Sequence, residues 1–293
     1  MRLFADTVAI QKASEKIERI KSIFLETQLF YADHNNINKL YLYLKKFETE
    51  FISVGYESAS MAIALKDFEE NNDLFRWKIF AGGTKLHKAQ VYIGLGWAIA
   101  KRNIIFSSII DHLDPKLYYR VADGCGFYDG SFKQRQTVIN QHTPVYLPAT
   151  ALAVYYQGVG RSLWYTSNAD IITVIKKIKS FPYSIRAALW RGIGVAVAYV
   201  GGCDDIYLKS IFEHAGNDGM QLTSGAALAA KSRIDANTMT RDTNRCYRLW
   251  FHLAERDNML SIPSVSSEND EVIYLNWILQ VELALSKSFE TEN

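Results

Sequence analysis

Apolar residues recur at helical spacing along most of this chain, and small residues interrupt them at regular intervals. Between Thr7 and about Phe30 the apolar positions form one stripe with polar residues opposite, which predicts an amphipathic helix. Asn35 or Asn36 can cap the helix that comes next. Residues 1–48 are therefore expected to form N-terminal helices.

Six later segments combine large apolar residues with glycine and alanine. Their first glycines are Gly55, Gly94, Gly124, Gly158, Gly192 and Gly225, so the segments recur every 30 to 39 residues. Turn signals precede four of them, at Pro115, Pro148, Pro182 and Gly216. A period near 34 residues with two helices per unit is typical of tetratricopeptide-like solenoids, although the specific tetratricopeptide consensus is not matched.

We therefore predict an all-α fold of helical-hairpin repeats with about six Gly/Ala-rich inner helices. The repeat core is expected to span residues 49–234, and a C-terminal helical cap residues 235–293, within one domain of residues 1–293.

The glycine spacing has a geometric meaning in a helix. Residues two apart lie about 200° apart around the axis, so Gly192 and Gly194 face opposite sides. Residues four apart share a face, which aligns Gly192 with Ala196 and Gly194 with Ala198. Such a helix can be approached closely from two sides. A β-strand is the alternative for this apolar run, but the even, proline-led spacing favours helices.

Composition narrows the classes of partner. A net charge of +2 gives no argument for nucleic acid. The N-terminal residues lack the apolar segment of a signal peptide, and no window is apolar enough for a membrane span. Cys125, Cys203 and Cys246 are far apart and are expected to be buried thiols in a reducing compartment. We therefore predict a cytoplasmic protein without nucleic-acid or membrane partners, and the oligomeric state stays open.

Motifs for cofactor and metal binding are weak. Gly124 and Gly126 are not followed by the third glycine that a dinucleotide fingerprint requires, so no cofactor is predicted. The run Asp111-His112-Leu113-Asp114 carries atoms that can ligate a metal, but just before Pro115 it fits a loop with helix caps better. Asp204 and Asp205 similarly fit the cap of the next helix. No metal site is predicted.

Charged residues inside the apolar segments are the candidates for function. A charge on an otherwise buried helix must be paired or face a cavity. Two alternatives remain open: a structural ladder of ion pairs between repeats, or a polar group of residues that holds a ligand in a groove. The residues concerned are Glu57, His87, Asp123, Asp129, Arg161, Arg186 and Arg191.

Five segments carry a family resemblance: GYESASMAIALKDF, HKAQVYIGLGWAIAK, DPKLYYRVADGCGFYDGSF, GVGRSLWYTSNAD and LWRGIGVAVAYVGG. Together they resemble the DUF1702 family, known chiefly as accessory proteins encoded beside enediyne polyketide synthases. The resemblance covers roughly residues 51–234. It implies an accessory role in natural-product biosynthesis, and it adds two tryptophans to the candidate ligand-binding residues, which become Glu57, His87, Asp123, Arg161, Trp97 and Trp164.

Two functions follow as expectations. In the first, the protein binds or acts on a small-molecule intermediate in a helical groove, with Glu57, His87, Asp123 and Arg161 close together. An enzyme would use His87 or Asp123 for proton transfer and Arg161 to stabilise an anion. In the second, a non-catalytic helical-repeat scaffold docks a biosynthetic partner protein. Clustering of the charged residues around an open pocket would favour the first function, and mutual pairing in a closed core the second.

Overall fold

The computed structural model describes residues 2–114 and 117–256, and over these residues the protein is all-helical without a strand. Twelve α-helices are present in this part of the chain. They are α1 (Arg2–His34), α2 (Ile37–Leu44), α3 (Ile52–Glu69), α4 (Phe75–Gly83), α5 (Lys88–Arg102), α6 (Tyr118–Phe132), α7 (Leu152–Thr166), α8 (Ile171–Ser180), α9 (Tyr183–Val200), α10 (Asp205–Ala215), α11 (Gly219–Asp235) and α12 (Arg241–Arg256).

The N-terminal helices form as their residue pattern predicts. On α1 the predicted apolar stripe is buried at Ala13, Ile17 and Ile20. Asn36 caps α2, where its side-chain oxygen accepts a hydrogen bond of 2.9 Å from the backbone N–H of Lys39. The prediction of an amphipathic helix followed by a polar break and a second helix is confirmed.

The six Gly/Ala-rich segments are all helical, which confirms the helix over the strand for this sequence pattern. They are α3, α5, α6, α7, α9 and α11, and each packs against the next in chain order. We call these six helices the inner array. Neighbours run in the same direction: near the start of α3 Ser53 contacts His87, and further along Ser60 contacts Val91 of α5. Contacts between the other neighbouring helices show the same direction, and the end of α11 reaches the start of α3, where Arg233 donates to the Glu50 carbonyl oxygen.

Glycine lets the inner-array helices approach until backbone touches backbone. A Cβ atom at Gly124 would lie 2.0 Å from the Ile93 carbonyl oxygen of α5. One at Gly126 would lie 1.8 Å from the Tyr155 carbonyl oxygen of α7. The two glycines of one Gly-x-Gly therefore face opposite neighbours, as the helical geometry predicts.

The connections between inner-array helices are unequal. A further helix, α4, α8 or α10, stands between α3 and α5, between α7 and α9, and between α9 and α11. Short 3₁₀ turns (Phe106–Ser108 and Ile110–His112) link α5 to α6 instead. A π-helical turn (Arg135–Ile139) and a 3₁₀ turn (Ala149–Ala151) link α6 to α7. The tetratricopeptide-like hairpin repeat stays a prediction.

Helix α1 and the C-terminal part of the described chain connect the first inner-array helix, α3, with the last helices of the array. Alongside α3, Ser58 donates a hydrogen bond to the Phe24 carbonyl oxygen of α1. Near its other end α1 meets the C-terminus of α9, where a Cβ at Gly202 would lie 2.8 Å from the Ala13 nitrogen. Lys16 forms ion pairs with Glu50, just before α3, and with Asp242 of α12.

Helix α12 covers the last inner-array helices. Trp250 donates to the Leu208 carbonyl oxygen of α10 at 2.8 Å, and Thr243 donates to the Ala198 carbonyl oxygen of α9 at 2.8 Å. Of the predicted C-terminal cap, residues 257–293 lie outside the described residues.

Two smaller expectations concern individual residues. Asp204 caps α10, as predicted, by accepting a hydrogen bond of 2.8 Å from the Tyr207 backbone N–H. Cys125, Cys203 and Cys246 are all buried free thiols, as predicted. A search of the described helices for one long and apolar enough to cross a membrane finds none.

Candidate functional site

A cavity of about 620 Å³ lies between α1 and the inner array. Side chains from α1 and from all six inner-array helices line it, so it is a product of the whole arrangement. Ligand pockets typically measure roughly 300–1,000 Å³ and are lined mainly by apolar and aromatic residues with a few polar groups. The cavity has this character.

Aromatic rings form much of the cavity wall, with Trp97 of α5 at their centre. Its ring stacks on Phe24 of α1, with ring centroids 4.4 Å apart. Phe127 and Phe132 of α6 approach the same indole, at 4.9 and 5.9 Å between centroids. Tyr165 of α7 meets Phe127 edge-on at 5.1 Å. The wall thus offers ring faces and edges from four helices to a ligand.

A buried ion pair joins α6 and α7 at the cavity wall. The guanidinium of Arg161 contacts a carboxylate oxygen of Asp123. Gln157 donates a hydrogen bond of 2.6 Å to the second oxygen of Asp123. The guanidinium also lies over the ring of Phe127, 4.8 Å from its centroid. Both carboxylate oxygens of Asp123 are therefore held by side chains of α7.

Glu57 of α3 is the second acid of the cavity, and its environment differs from that of Asp123. Burial raises the pKa of the Glu57 carboxyl to about 7, and the negative charge of Asp123 adds to this effect. Arg161 and the indole N–H of Trp97 act in the opposite direction. Near neutral pH Glu57 can therefore exist both as a neutral donor and as an ionised acceptor.

Several buried polar atoms of the cavity lining make no hydrogen bond with any described part of the chain. They are Gln90 Oε1, Trp97 Nε1 and Tyr199 Oη. Trp97 Nε1 lies near enough to Glu57 to lower the pKa of that carboxyl, but without the geometry of a hydrogen bond. These three atoms are shielded from the cavity as well as from solvent, so they are unpaired groups within its wall and not groups that a bound ligand would contact in this conformation.

The exposure of the lining side chains shows where the cavity opens. Near the N-termini of α5 and α6 Gln90 and Arg120 are buried. At the opposite end of these two helices Phe132 is 66% exposed and Lys101 is exposed as well, and Leu25 of α1 is 59% exposed. The cavity therefore opens beside the C-termini of α5 and α6.

Four of the six predicted ligand-binding residues line this cavity. They are Glu57, Trp97, Asp123 and Arg161. The other two, His87 and Trp164, are not among the described side chains that line it. The structure thus brings three of the four predicted charged residues together.

His87 lies instead at the start of α5, in contact with α3. Its Nδ1 is 3.0 Å from the Ser53 hydroxyl oxygen, and its ring stacks on Tyr56 at 4.2 Å between centroids. Burial lowers the pKa of His87 to about 4, so the ring is neutral at physiological pH. Trp164 is fully buried on the side of α7 near α10, with its ring 6.5 Å from that of Tyr207.

The remaining charged residues of the inner segments make contacts away from the cavity. Asp129 accepts hydrogen bonds from Tyr146 at 2.6 Å and Tyr155 at 3.1 Å. Arg191 of α9 binds the Gln221 side-chain oxygen of α11. Arg186 donates to two backbone carbonyls near its own helix. These three residues therefore have partners outside the cavity, whereas Glu57, Asp123 and Arg161 line it.

Sequence reasoning missed several lining residues. Gln90 and Arg120 are polar residues inside the same Gly-rich segments as Glu57 and Asp123, so the same signal was present for them. Phe24 is one of the apolar residues of an amphipathic helix, and the sequence carries no sign that it faces a cavity rather than the core. Within the described ranges no group of three or more His, Cys, Asp or Glu residues is placed to hold a metal ion.

Comparison with known proteins gives one match. The model of a family described as "Protein of unknown function (DUF1702)" matches residues 2–281. The chain belongs to the DUF1702 family. No curated protein and no solved structure matches it. All four cavity-lining candidates therefore lie within the DUF1702 match, as do α1 and the whole inner array.

Proposed function

We propose that this DUF1702 protein is an accessory factor in natural-product biosynthesis of the enediyne or polyketide kind, and that it binds or acts on a small-molecule intermediate. The site is the cavity between α1 and the inner array. One observation carries the proposal: an aromatic-lined cavity of about 620 Å³ has the charged side chains of Glu57, Asp123 and Arg161 in its wall.

The electrostatics support a small molecule over a purely structural role. A structural ion-pair ladder would leave its charges paired in a closed core. Asp123 and Arg161 do form such a pair, but both also line the cavity beside Glu57. Glu57 has a pKa of about 7, so a catalytic role in proton transfer would fall to it rather than to His87 or Asp123.

We also propose that the inner array derives from a tetratricopeptide-like helical-hairpin repeat and that the protein acts in the cytoplasm. The even spacing of the Gly-rich helices and the intervening α4, α8 and α10 support the repeat. Three buried free thiols support a reducing compartment.

A scaffold that docks a biosynthetic partner protein is the second candidate function. Two apolar side chains on the connection between α6 and α7 favour it, because Val145 is 93% exposed and Ile139 is 73% exposed. Exposed apolar residues of this kind are common at protein-protein contacts.

Gene deletion followed by complementation separates the two functions. Metabolite profiles of the deletion strain are compared after complementation with the native chain, Arg161→Ala, Trp97→Leu and the control Arg186→Ala, which lies outside the cavity. We expect the two cavity variants to leave an intermediate accumulated and the control to restore every product. Circular dichroism and thermal unfolding of each purified variant show that it is folded.

The opposite pattern would support the scaffold. If folded cavity variants restore every product while a Val145→Ser, Ile139→Ser double variant does not, the small-molecule function is wrong. His87→Ala serves as a further control, since His87 contacts Ser53 and Tyr56 rather than the cavity.

A further inference from the structure

Polar and aromatic groups lie at different depths of the cavity. Along α5, Gln90 lies at the closed end, Trp97 two turns further on, and Lys101 at the open end. Glu57 lies level with Gly94, because a Cβ at that glycine would be 2.0 Å from the Glu57 carbonyl oxygen. The acid is thus on the closed side of Trp97.

The inner charged layer and the outer apolar layer are formed by successive turns of the same helices. On α6, Arg120 and Asp123 precede Phe127, and Phe132 comes last, at the opening. The order from closed to open end is therefore hydrogen-bonding groups first, then aromatic rings.

We propose that the ligand is an elongated apolar molecule with a carboxyl group at one end, and that it is bound with the carboxyl group at the closed end, against Glu57 and Arg161. This inference rests on the proposed function and names the class of compound that the cavity takes.

Hydrogen-bond donors in the inner charged layer are the reason for proposing a carboxyl group at that end of the ligand. Arg161 lines the cavity, and its guanidinium, which contacts Asp123 through Nη1, has further N–H groups that a ligand can use. A neutral Glu57 adds an O–H donor. Carboxylate oxygens are the strongest acceptors for such donors, and a carboxylate next to a protonated carboxyl can share its proton. A ligand cation would instead lie against the Arg161 guanidinium, and the Asp123 carboxylate is already paired with that arginine.

The apolar part of the ligand then lies against the aromatic wall. From Gln90 to Lys101 the helix rises by eleven residues, which corresponds to about 16 Å at 1.5 Å per residue. Dodecanoate is a suitable probe, because its extended chain is of similar length. Its tail would lie between Phe24, Trp97 and Phe127 and point to the opening at Phe132.

Binding is expected to depend on pH through Glu57. The charged and titratable groups that line the cavity with it are Lys21 of α1, Lys101 of α5, Arg120, Asp123 and Tyr128 of α6, Arg161 and Tyr165 of α7, and Tyr199 of α9. Below its pKa of about 7 Glu57 is neutral and donates to the ligand carboxylate, whereas above it the two negative charges repel. Dodecanoate should therefore bind more tightly at pH 6 than at pH 8.

Isothermal titration calorimetry of the purified full chain tests the head group. The probes are dodecanoate, methyl dodecanoate, dodecanol and dodecylamine, each at pH 6 and pH 8. We expect dodecanoate to bind at least about tenfold more tightly than the ester and the alcohol at pH 6, since one charge-assisted hydrogen bond is of that size. The amine is expected to bind most weakly.

Two matched pairs of variants test the orientation. Arg161→Gln should remove the preference for dodecanoate over dodecanol, and Lys101→Gln, at the opening, should leave it. Glu57→Gln keeps a neutral donor, so it should bind dodecanoate equally at both pH values, while Glu213→Gln, on the exposed surface of α10, should keep the native pH dependence.

Three results would overturn the inference. Equal binding of acid, ester and alcohol would refute the carboxyl group while leaving a ligand-binding cavity in place. Loss of the acid preference in Lys101→Gln but not in Arg161→Gln would reverse the orientation. Binding of none of the four probes would refute an apolar carboxylic acid, and the proposed function is then judged separately by complementation. If Arg161→Gln does not fold, the inference is tested instead by the pH dependence of dodecanoate binding to Glu57→Gln.

Discussion

At the scale of single residues, the two acidic side chains of the cavity, Asp123 and Glu57, lie in different electrostatic environments. Asp123 is paired with the Arg161 guanidinium and accepts a hydrogen bond from the Gln157 amide. Glu57 has no ion pair with a described residue, and burial dominates its titration. Two acids with different environments allow one to fix a geometry and the other to gain or lose a proton.

The stability of the protein should depend on pH through Glu57. Its pKa is about 7 in the folded state, compared with 4.5 as the ordinary value, so the folded state keeps the proton where the unfolded state has lost it. The free energy of unfolding should therefore fall as pH rises from about 4.5 to about 7. At 1.36 kcal/mol per pKa unit the total fall from this group is about 3 kcal/mol.

Glu57→Gln should abolish that fall, because the amide does not titrate. Urea unfolding followed by circular dichroism between pH 4.5 and pH 8 measures the effect, with Glu213→Gln as an exposed control that should follow the native curve. Parallel curves for Glu57→Gln and the native chain would show that the Glu57 carboxyl is not buried as described.

The sequence predicted part of this site, and the physical reason for the rest is clear. Glu57, Asp123 and Arg161 were predictable because charges inside apolar helices stand out. His87 belongs to the same pattern, yet it lies at the start of α5 and contacts Ser53 and Tyr56. Which side of a helix faces a cavity depends on its neighbours, and spacing along one helix does not contain that information.

At the scale of elements, glycine determines how closely the inner-array helices pack. Successive helices touch through backbone atoms at the Gly-x-Gly positions, and the hypothetical Cβ atoms would lie about 2 Å from neighbouring carbonyl oxygens. The recurrence of these glycines was enough to predict six helical segments. It did not predict that turns replace full helices on both sides of α6, because those linkers carry no glycine signal of their own.

Gly126→Ala and Gly82→Ala should have effects of opposite sign. A Cβ at Gly126 would lie 1.8 Å from the Tyr155 carbonyl oxygen, so α6 and α7 must separate, and we expect a loss of about 3 kcal/mol or more. Gly82, on the exposed side of α4, has nothing within 4 Å of such an atom. There alanine should stabilise the helix by about 0.5–1 kcal/mol. Urea unfolding of both variants measures the difference, and a stable Gly126→Ala variant would contradict the close packing.

At the scale of the whole molecule, contacts between distant parts of the chain join the two ends of the inner array. The fully buried Arg233 of α11 donates to the Glu50 carbonyl oxygen at 3.1 Å, to Thr238 at 2.9 Å and to Tyr199 at 2.7 Å. Its guanidinium also lies 4.1 Å from the centroid of the Tyr199 ring. An open repeat array has only neighbour contacts and can unfold in parts. Arg233 links α11 to the residues before α3, so we expect the first and last helices of the array to unfold together.

Arg233→Met should therefore reduce cooperativity as well as stability. It leaves three carbonyl oxygens without this donor, those of Glu50 and Tyr199 partly buried and that of Thr238 fully buried, and we expect a loss of about 3–5 kcal/mol. We also expect the single unfolding transition of the native chain to separate into two when circular dichroism and tryptophan fluorescence are compared.

Arg186→Met is the matched control: Arg186 also donates to two backbone carbonyls, but these belong to Phe181 and Lys179, close by in the chain. Losing such local bonds should lower stability by about 1 kcal/mol with the single transition retained. Coincident transitions in Arg233→Met would show that α1 alone is sufficient to couple the two ends.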